Sequence, residues 1–185
     1  MKRRVFTAGA ALALAGCAAT KVNSYRLAAI SVPVQAGGPA SIAVRNVGLP
    51  GYLNQNGIVE TAGPYVFNTY DNEVWAESLG DMLQAVMVQD LAQILPGTQV
   101  LASGGAIEAP AARLVELNVE RFDPNGGGDI VLIVQVAIKD GTTHNVLRTN
   151  TIQFQQPAGL GAEAMAAAMS EMWAQAAEQV ALLVK

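Results

Sequence analysis

Apolar and polar residues alternate from Leu114 to Phe122, with Val115, Leu117 and Val119 on one side and Glu116, Asn118 and Glu120 on the other. That period of two predicts a strand with one buried face. Ile130 to Ile138 is apolar at nearly every position, which predicts a central strand covered on both faces. Val146 to Phe154 is more polar and is expected nearer a sheet edge. The intervening Asp123-Pro124-Asn125-Gly126 and Asp140-Gly141 favour tight turns, so these three strands are predicted to form an antiparallel meander. Upstream, Tyr25–Ile30 and Ser41–Val47 read as strands joined across Pro33, Gly37, Gly38 and Pro39. Ile58-Val59 and Tyr65-Val66-Phe67, either side of Gly63-Pro64, read as a hairpin or two edge strands, and Thr98–Leu101 as a short strand.

The period lengthens in two places. Trp75, Leu79, Met82, Leu83, Val86, Leu91 and Ile94 recur at helical spacing. Asp71 or Asn72 can cap that helix, Glu73 and Glu77 would fall in its first two turns, and Pro96-Gly97 ends it, for a length of about 22 residues. Past Pro157, Gly159 and Gly161, a second helix runs to near Val184, with Met165, Met169, Met172, Ala176, Val180 and Leu183 spaced by threes and fours. Strands, helix, four strands, helix predicts an α/β fold: a mixed, mostly antiparallel sheet flanked by two long helices.

The amino terminus follows a different pattern. Met-Lys-Arg-Arg precedes an apolar run from Val5 to Leu14, too short for the ~20 residues a membrane span needs. Leu14-Ala15-Gly16-Cys17 then resembles the bacterial lipobox, in which the cysteine is acylated after cleavage before it. Residues 1–16 are accordingly expected to be a lipoprotein signal peptide, 17–23 a lipidated tether and 24–185 the folded domain. Acyl chains on Cys17 would supply the membrane contact, each buried methylene contributing ~0.8 kcal/mol. The alternative is a free thiol, or cleavage elsewhere. Ala18 and Ala19, where an aspartate would resemble the inner-membrane retention signal of enteric bacteria, favour the periplasmic face of the outer membrane. Arg3-Arg4-Val5-Phe6 resembles the core of a twin-arginine signal, although two ordinary leader charges are the favoured reading.

Composition narrows the functions. The chain of 185 residues has 51% hydrophobic and 14% charged residues, which fits one compact domain rather than a disordered segment. Eleven basic against fifteen acidic residues give a net charge of −4, and loss of Lys2, Arg3 and Arg4 with the signal leaves 8 basic and 15 acidic residues, or −7. Such a domain lacks the basic surface that nucleic acid requires. One cysteine and one histidine leave no usual zinc site, and no cofactor is expected. His144 sits in the turn Gly141-Thr142-Thr143-His144-Asn145, and Gly126-Gly127-Gly128 opens a strand rather than a helix, so neither forms a catalytic or phosphate-binding motif. A non-enzymatic role is expected.

Three ordered segments carry a resemblance: Leu49-Pro50-Gly51-Tyr52-Leu53 with Ile58-Val59, then Asn72-Glu73-Val74-Trp75-Ala76-Glu77-Ser78-Leu79, then Val119-Glu120-Arg121-Phe122-Asp123. Behind a lipobox and a short tether, they resemble the ABC-type transport auxiliary lipoprotein family, which includes the PqiC-type lipoproteins. The resemblance implies a fold like anticodon-binding domains and the amino-terminal domain of TolB. It also implies partnership with an MCE-domain protein and its associated permease and ATPase, in systems that move lipids or other apolar molecules across the envelope. Asn54-Gln55-Asn56 and Glu60 depart from the basic residues common there, which bears on the identity of the partner. Leu49, Pro50, Tyr52 and Leu53 form either a hydrophobic contact strip for that partner or a turn that enters the core. Arg121 is a partner contact or an ion-pair partner of Glu77, and Trp75 is expected to anchor the first helix. Other functions compatible with the sequence are a lipid-binding, chaperone-like module and a structural lipoprotein that forms a homo-oligomeric ring through its sheet edges.

Overall fold

A computed structural model describes residues 21–185. In chain order the elements are β1 (Asn23–Tyr25), β2 (Ser41–Val44), β3 (Gly57–Gly63), β4 (Val66–Trp75), α1 (Leu79–Ile94), β5 (Gln99–Ala102), β6 (Arg113–Pro124), β7 (Asp129–Asp140), β8 (Val146–Pro157) and α2 (Gly161–Leu183). The five-stranded sheet has the order β5-β2-β6-β7-β8, and a three-stranded sheet has the order β1-β4-β3. Both are mixed. β2 runs parallel to β5 and β6, whereas β6, β7 and β8 form the antiparallel meander that their turn residues predict. At one turn the Asp140 carboxylate accepts the N–H groups of Thr142 (3.0 Å) and Thr143 (2.8 Å), and His144, at φ 59°, is exposed beside them. At the other, the Asn125 side-chain oxygen accepts the N–H groups of Gly127 (2.9 Å) and Asp129 (3.1 Å).

The two helices pack against each other and on one face of the large sheet. Val115, Leu117, Val119, Ile130, Leu132, Val134, Val136 and Ile138 fill the core beneath them. The alanines of α2 allow close approach there, and Trp173 reaches across to donate its indole N–H to the Leu83 carbonyl of α1 (2.9 Å). The opposite face of the sheet has no helix on it. Val131, Ile133 and Ala137 are half-buried and Gln135 is exposed, so β7 is covered fully on one face only, not on both as its unbroken apolar run suggests. That run buries one set of side chains under the helices and packs the other against outer-face neighbours such as Glu116 and Thr149.

Two other expectations change. The first helix begins at Leu79, not near Asp71, because Glu73, Val74 and Trp75 pair in parallel with Asn23, Ser24 and Tyr25. Ladder hydrogen bonding wins over the local helical signal, Asn72 takes a left-handed φ of 59° where β4 bulges, and the Ser78 hydroxyl caps α1 by accepting the Asp81 N–H (3.2 Å). Trp75 is buried, as a core anchor should be, but at a strand end. The stretch predicted as a strand through Ile30 leaves the sheet after Tyr25 and lies as a strap over the helices. Its Ala28 N–H donates to Ser170 Oγ (3.1 Å) on α2, and its Gln35 N–H to the Ile94 carbonyl (2.7 Å) at the end of α1.

Candidate functional site

The first and third of the segments singled out in the sequence meet at one buried carboxylate, while the second, around Glu73 to Trp75, pairs with β1. Pro50 starts a turn in which its carbonyl accepts the Leu53 N–H (3.0 Å), and that turn buries Leu53 while aiming Tyr52 at the end of β6. The Tyr52 hydroxyl donates to Asp123 Oδ1 (2.8 Å), and the Thr61 hydroxyl of β3 donates to Asp123 Oδ2. Arg121 completes the group, with Nε at 3.3 Å from Oδ1 and Nη2 at 3.5 Å from Oδ2. The Asp123 side chain is 0% exposed and that of Arg121 29%. A carboxylate at this depth persists only when charge and lone pairs are both matched, and one guanidinium with two hydroxyls does so here. Burial pushes the Tyr52 phenol well above its ordinary range, and its hydrogen bond to Asp123 adds to the shift. Tyr52 therefore stays a neutral donor.

A bulge in β6 makes the arrangement possible. Val119 pairs with Val134 but Arg121 pairs with Ile133, so one extra residue, Glu120, shifts the phase of the strand. Before it, odd-numbered residues face the core. After it, Phe122 faces the core and Arg121 and Asp123 turn outward beneath the β3–β4 hairpin. The hairpin is held a second time where the rings of Tyr52 and Phe67 stack, with centroids 4.4 Å apart. It is held a third time by a bridge between Thr61 and Asn125. A Cβ on Gly126 would come 3.3 Å from the Ala62 carbonyl oxygen, which is why the smallest residue occupies that turn.

Of the residues proposed as a contact strip, Leu53 and the Tyr52 hydroxyl are used internally, and Leu49 and Pro50 remain half-exposed. Arg121 pairs with Asp123, not with Glu77, which is exposed. Sequence reading missed Asp123, Thr61 and Phe67 as members of the group. A signal for the bulge was present in Val119 and Phe122, two apolar residues three apart in a strand, which can share one face only if a residue is inserted between them. Cys17 lies outside the described residues. A trough of about 690 Å³ on the open sheet face has a mixed lining, with Arg45, Glu116, Asn118, Gln135 and Thr149 set among apolar surface that includes Ala137. Among the described residues, no cluster of His, Cys, Asp or Glu is arranged to hold a metal ion, and no helix is long and apolar enough to cross a membrane.

The family model for the ABC-type transport auxiliary lipoprotein component matches residues 25–181, nearly all of the domain. The chain belongs to this family. Over 121 residues it is 31% identical to the intermembrane transport lipoprotein PqiC of Escherichia coli, a match that spans 62% of this chain and 64% of that protein. The curated relative is thus matched over somewhat less than two thirds of its length. Among solved structures, a protein from Xanthomonas campestris has a TM-score of 0.71 at 17% identity, covering 88% of this chain and 95% of the other. Another, described as an uncharacterised protein, has a TM-score of 0.74 at 18% identity, covering 90% and 100%. Both share the auxiliary lipoprotein's fold of two mixed sheets and two helices. Two of the three family-like segments thus build, with Thr61, one buried hydrogen-bonded group that fixes a hairpin.

Proposed function

We propose that this auxiliary lipoprotein is a non-catalytic, lipid-anchored component of an MCE-type ABC transport system that moves lipids or other apolar molecules across the cell envelope. Residues 1–16 are its signal peptide, Cys17 carries the acyl chains, 17–23 tether the domain, and the domain stands at the periplasmic face of the outer membrane. An MCE-domain protein is the partner, with a permease and ATPase behind it. The half-exposed Leu49 and Pro50, fixed in place by the buried group below them, are the residues offered to that partner.

The observation that carries this reading is the family match over residues 25–181. The chemistry of the Asp123 group agrees with it: each polar side chain there is spent on holding another, which leaves no free nucleophile or base aimed at solvent. The sheet-face trough is open to solvent and crossed by Arg45, Glu116 and Gln135, unlike the enclosed apolar pocket that a lipid-binding chaperone needs. Intact-mass analysis of the protein extracted from separated inner and outer membranes tests the anchor and its location. The expected species begins at Cys17, carries acyl chains and follows the outer-membrane fraction; a chain with an unmodified cysteine contradicts the proposal.

A further inference from the structure

The β3–β4 hairpin ends in a bare apolar tip. Pro64 and Tyr65 form its turn, Tyr65 is 93% exposed, and Val66 and Phe67 are each about half exposed. No charged residue occurs from Thr61 to Tyr70. A domain that discards its leader is strongly acidic and is repelled by anionic head groups, so a surface of this chain that approaches a bilayer closely must be a neutral one. Tyrosine favours the membrane–water interface, and phenylalanine the apolar boundary just beneath it.

Chain direction places this tip on the side of β1 at which the described chain begins. β1 pairs in parallel with the end of β4, Asn23 beside Glu73 and Tyr25 beside Trp75, and the Asn23 side-chain amide donates to Glu73 (3.1 Å). Residues 21 and 22 therefore lie on the side of β1 that faces the hairpin turn. From Asn23 to Cys17 the chain reaches at most ~20 Å, and the hairpin from Glu73 back to Tyr65 is no longer than ~27 Å. A second bare apolar side chain lies at the same end. Leu160, 98% exposed, follows Ala158, whose N–H donates to the Gly128 carbonyl (2.9 Å) in the β6–β7 turn that the hairpin packs on.

We propose that the tip of the β3–β4 hairpin, Tyr65 to Phe67, docks into the interface of the bilayer that holds the lipid anchor, so that the domain is oriented on the membrane rather than swinging from its tether. This rests on acylation of Cys17. The buried Asp123 group then has a mechanical role, since it fixes the angle at which the hairpin leaves the sheet.

The test uses the full-length, membrane-extracted protein in vesicles of phosphatidylethanolamine and phosphatidylglycerol that contain brominated acyl chains. Acylation blocks the native cysteine, so in Tyr65→Cys the new thiol is the one a fluorescent maleimide can reach. Thr142→Cys, on the exposed turn at the far end of β7, is the comparison. Quenching several-fold stronger at position 65 than at 142 is expected. Equal quenching at the two positions, with the unsubstituted protein refusing the label, overturns the hairpin proposal alone. Labelling of the unsubstituted protein overturns the anchor itself, and with it the inference.

Discussion

Asp123 is held by Arg121, Tyr52 and Thr61, and the three partners differ in what their loss exposes. Arg121→Ala leaves a buried carboxylate without its counter-charge and is expected to cost about 2–3 kcal/mol, reduced from the fully buried case because the guanidinium is partly solvated. Tyr52→Phe removes one hydrogen bond and keeps the ring stack on Phe67, for a loss of about 1 kcal/mol. Urea denaturation of the two variants reads the order directly. Asp90 on α1 is the opposite case, buried with no hydrogen-bond partner for either oxygen. Burial pushes its carboxyl up to about 7, against a weaker downward pull from the Ile30 backbone. The folded protein thus holds a proton that the unfolded chain releases near pH 4, so this group makes stability fall as pH rises from about 4 to about 7 and level off above. Asp90→Asn is expected to flatten that slope and to raise stability at about pH 8 by about 2 kcal/mol. A denaturation series across that range checks both the slope and its loss.

At the scale of elements, long and regular patterns were legible and short ambiguous ones were not. The β6–β8 meander and α2 follow the sequence closely, because a dozen or more residues with one period and chemically explicit turns leave little choice. Asn72 to Trp75 carried a helix-start signal, and what overrode it was pairing with β1, about fifty residues away in the chain. Tyr25 to Ile30 was apolar for a reason that periodicity does not display: Leu27 buries itself under a strap with no sheet partner. The placement of the helix start is testable. Ser78→Ala removes the observed cap and is expected to destabilise the protein by about 1 kcal/mol, whereas Asp71→Ala, in the exposed part of β4, should change it by less than about 0.5 kcal/mol. A larger effect at Asp71 than at Ser78 would return the helix start to the earlier position.

For the molecule as a whole, the segments that mark the family were visible in the chain, but the meeting of the first and third at Asp123 was not. Convergence of residues 52, 61, 121 and 123 depends on a bulge and on the packing of one sheet over the end of another, neither of which is written in local spacing. Their arrangement fixes the β3–β4 hairpin against a core closed by two helices, with β1 pairing along the same small sheet. On the function proposed above, this geometry would suit an adaptor positioned between a membrane and a transport machine. The most direct measurement is identification of what copurifies with the full-length lipoprotein after crosslinking in intact cells and gentle detergent extraction. An MCE-domain protein, recovered in yield comparable to the lipoprotein and lost from a strain that lacks it, is the predicted result; recovery of the lipoprotein alone, or only with copies of itself, would contradict the account.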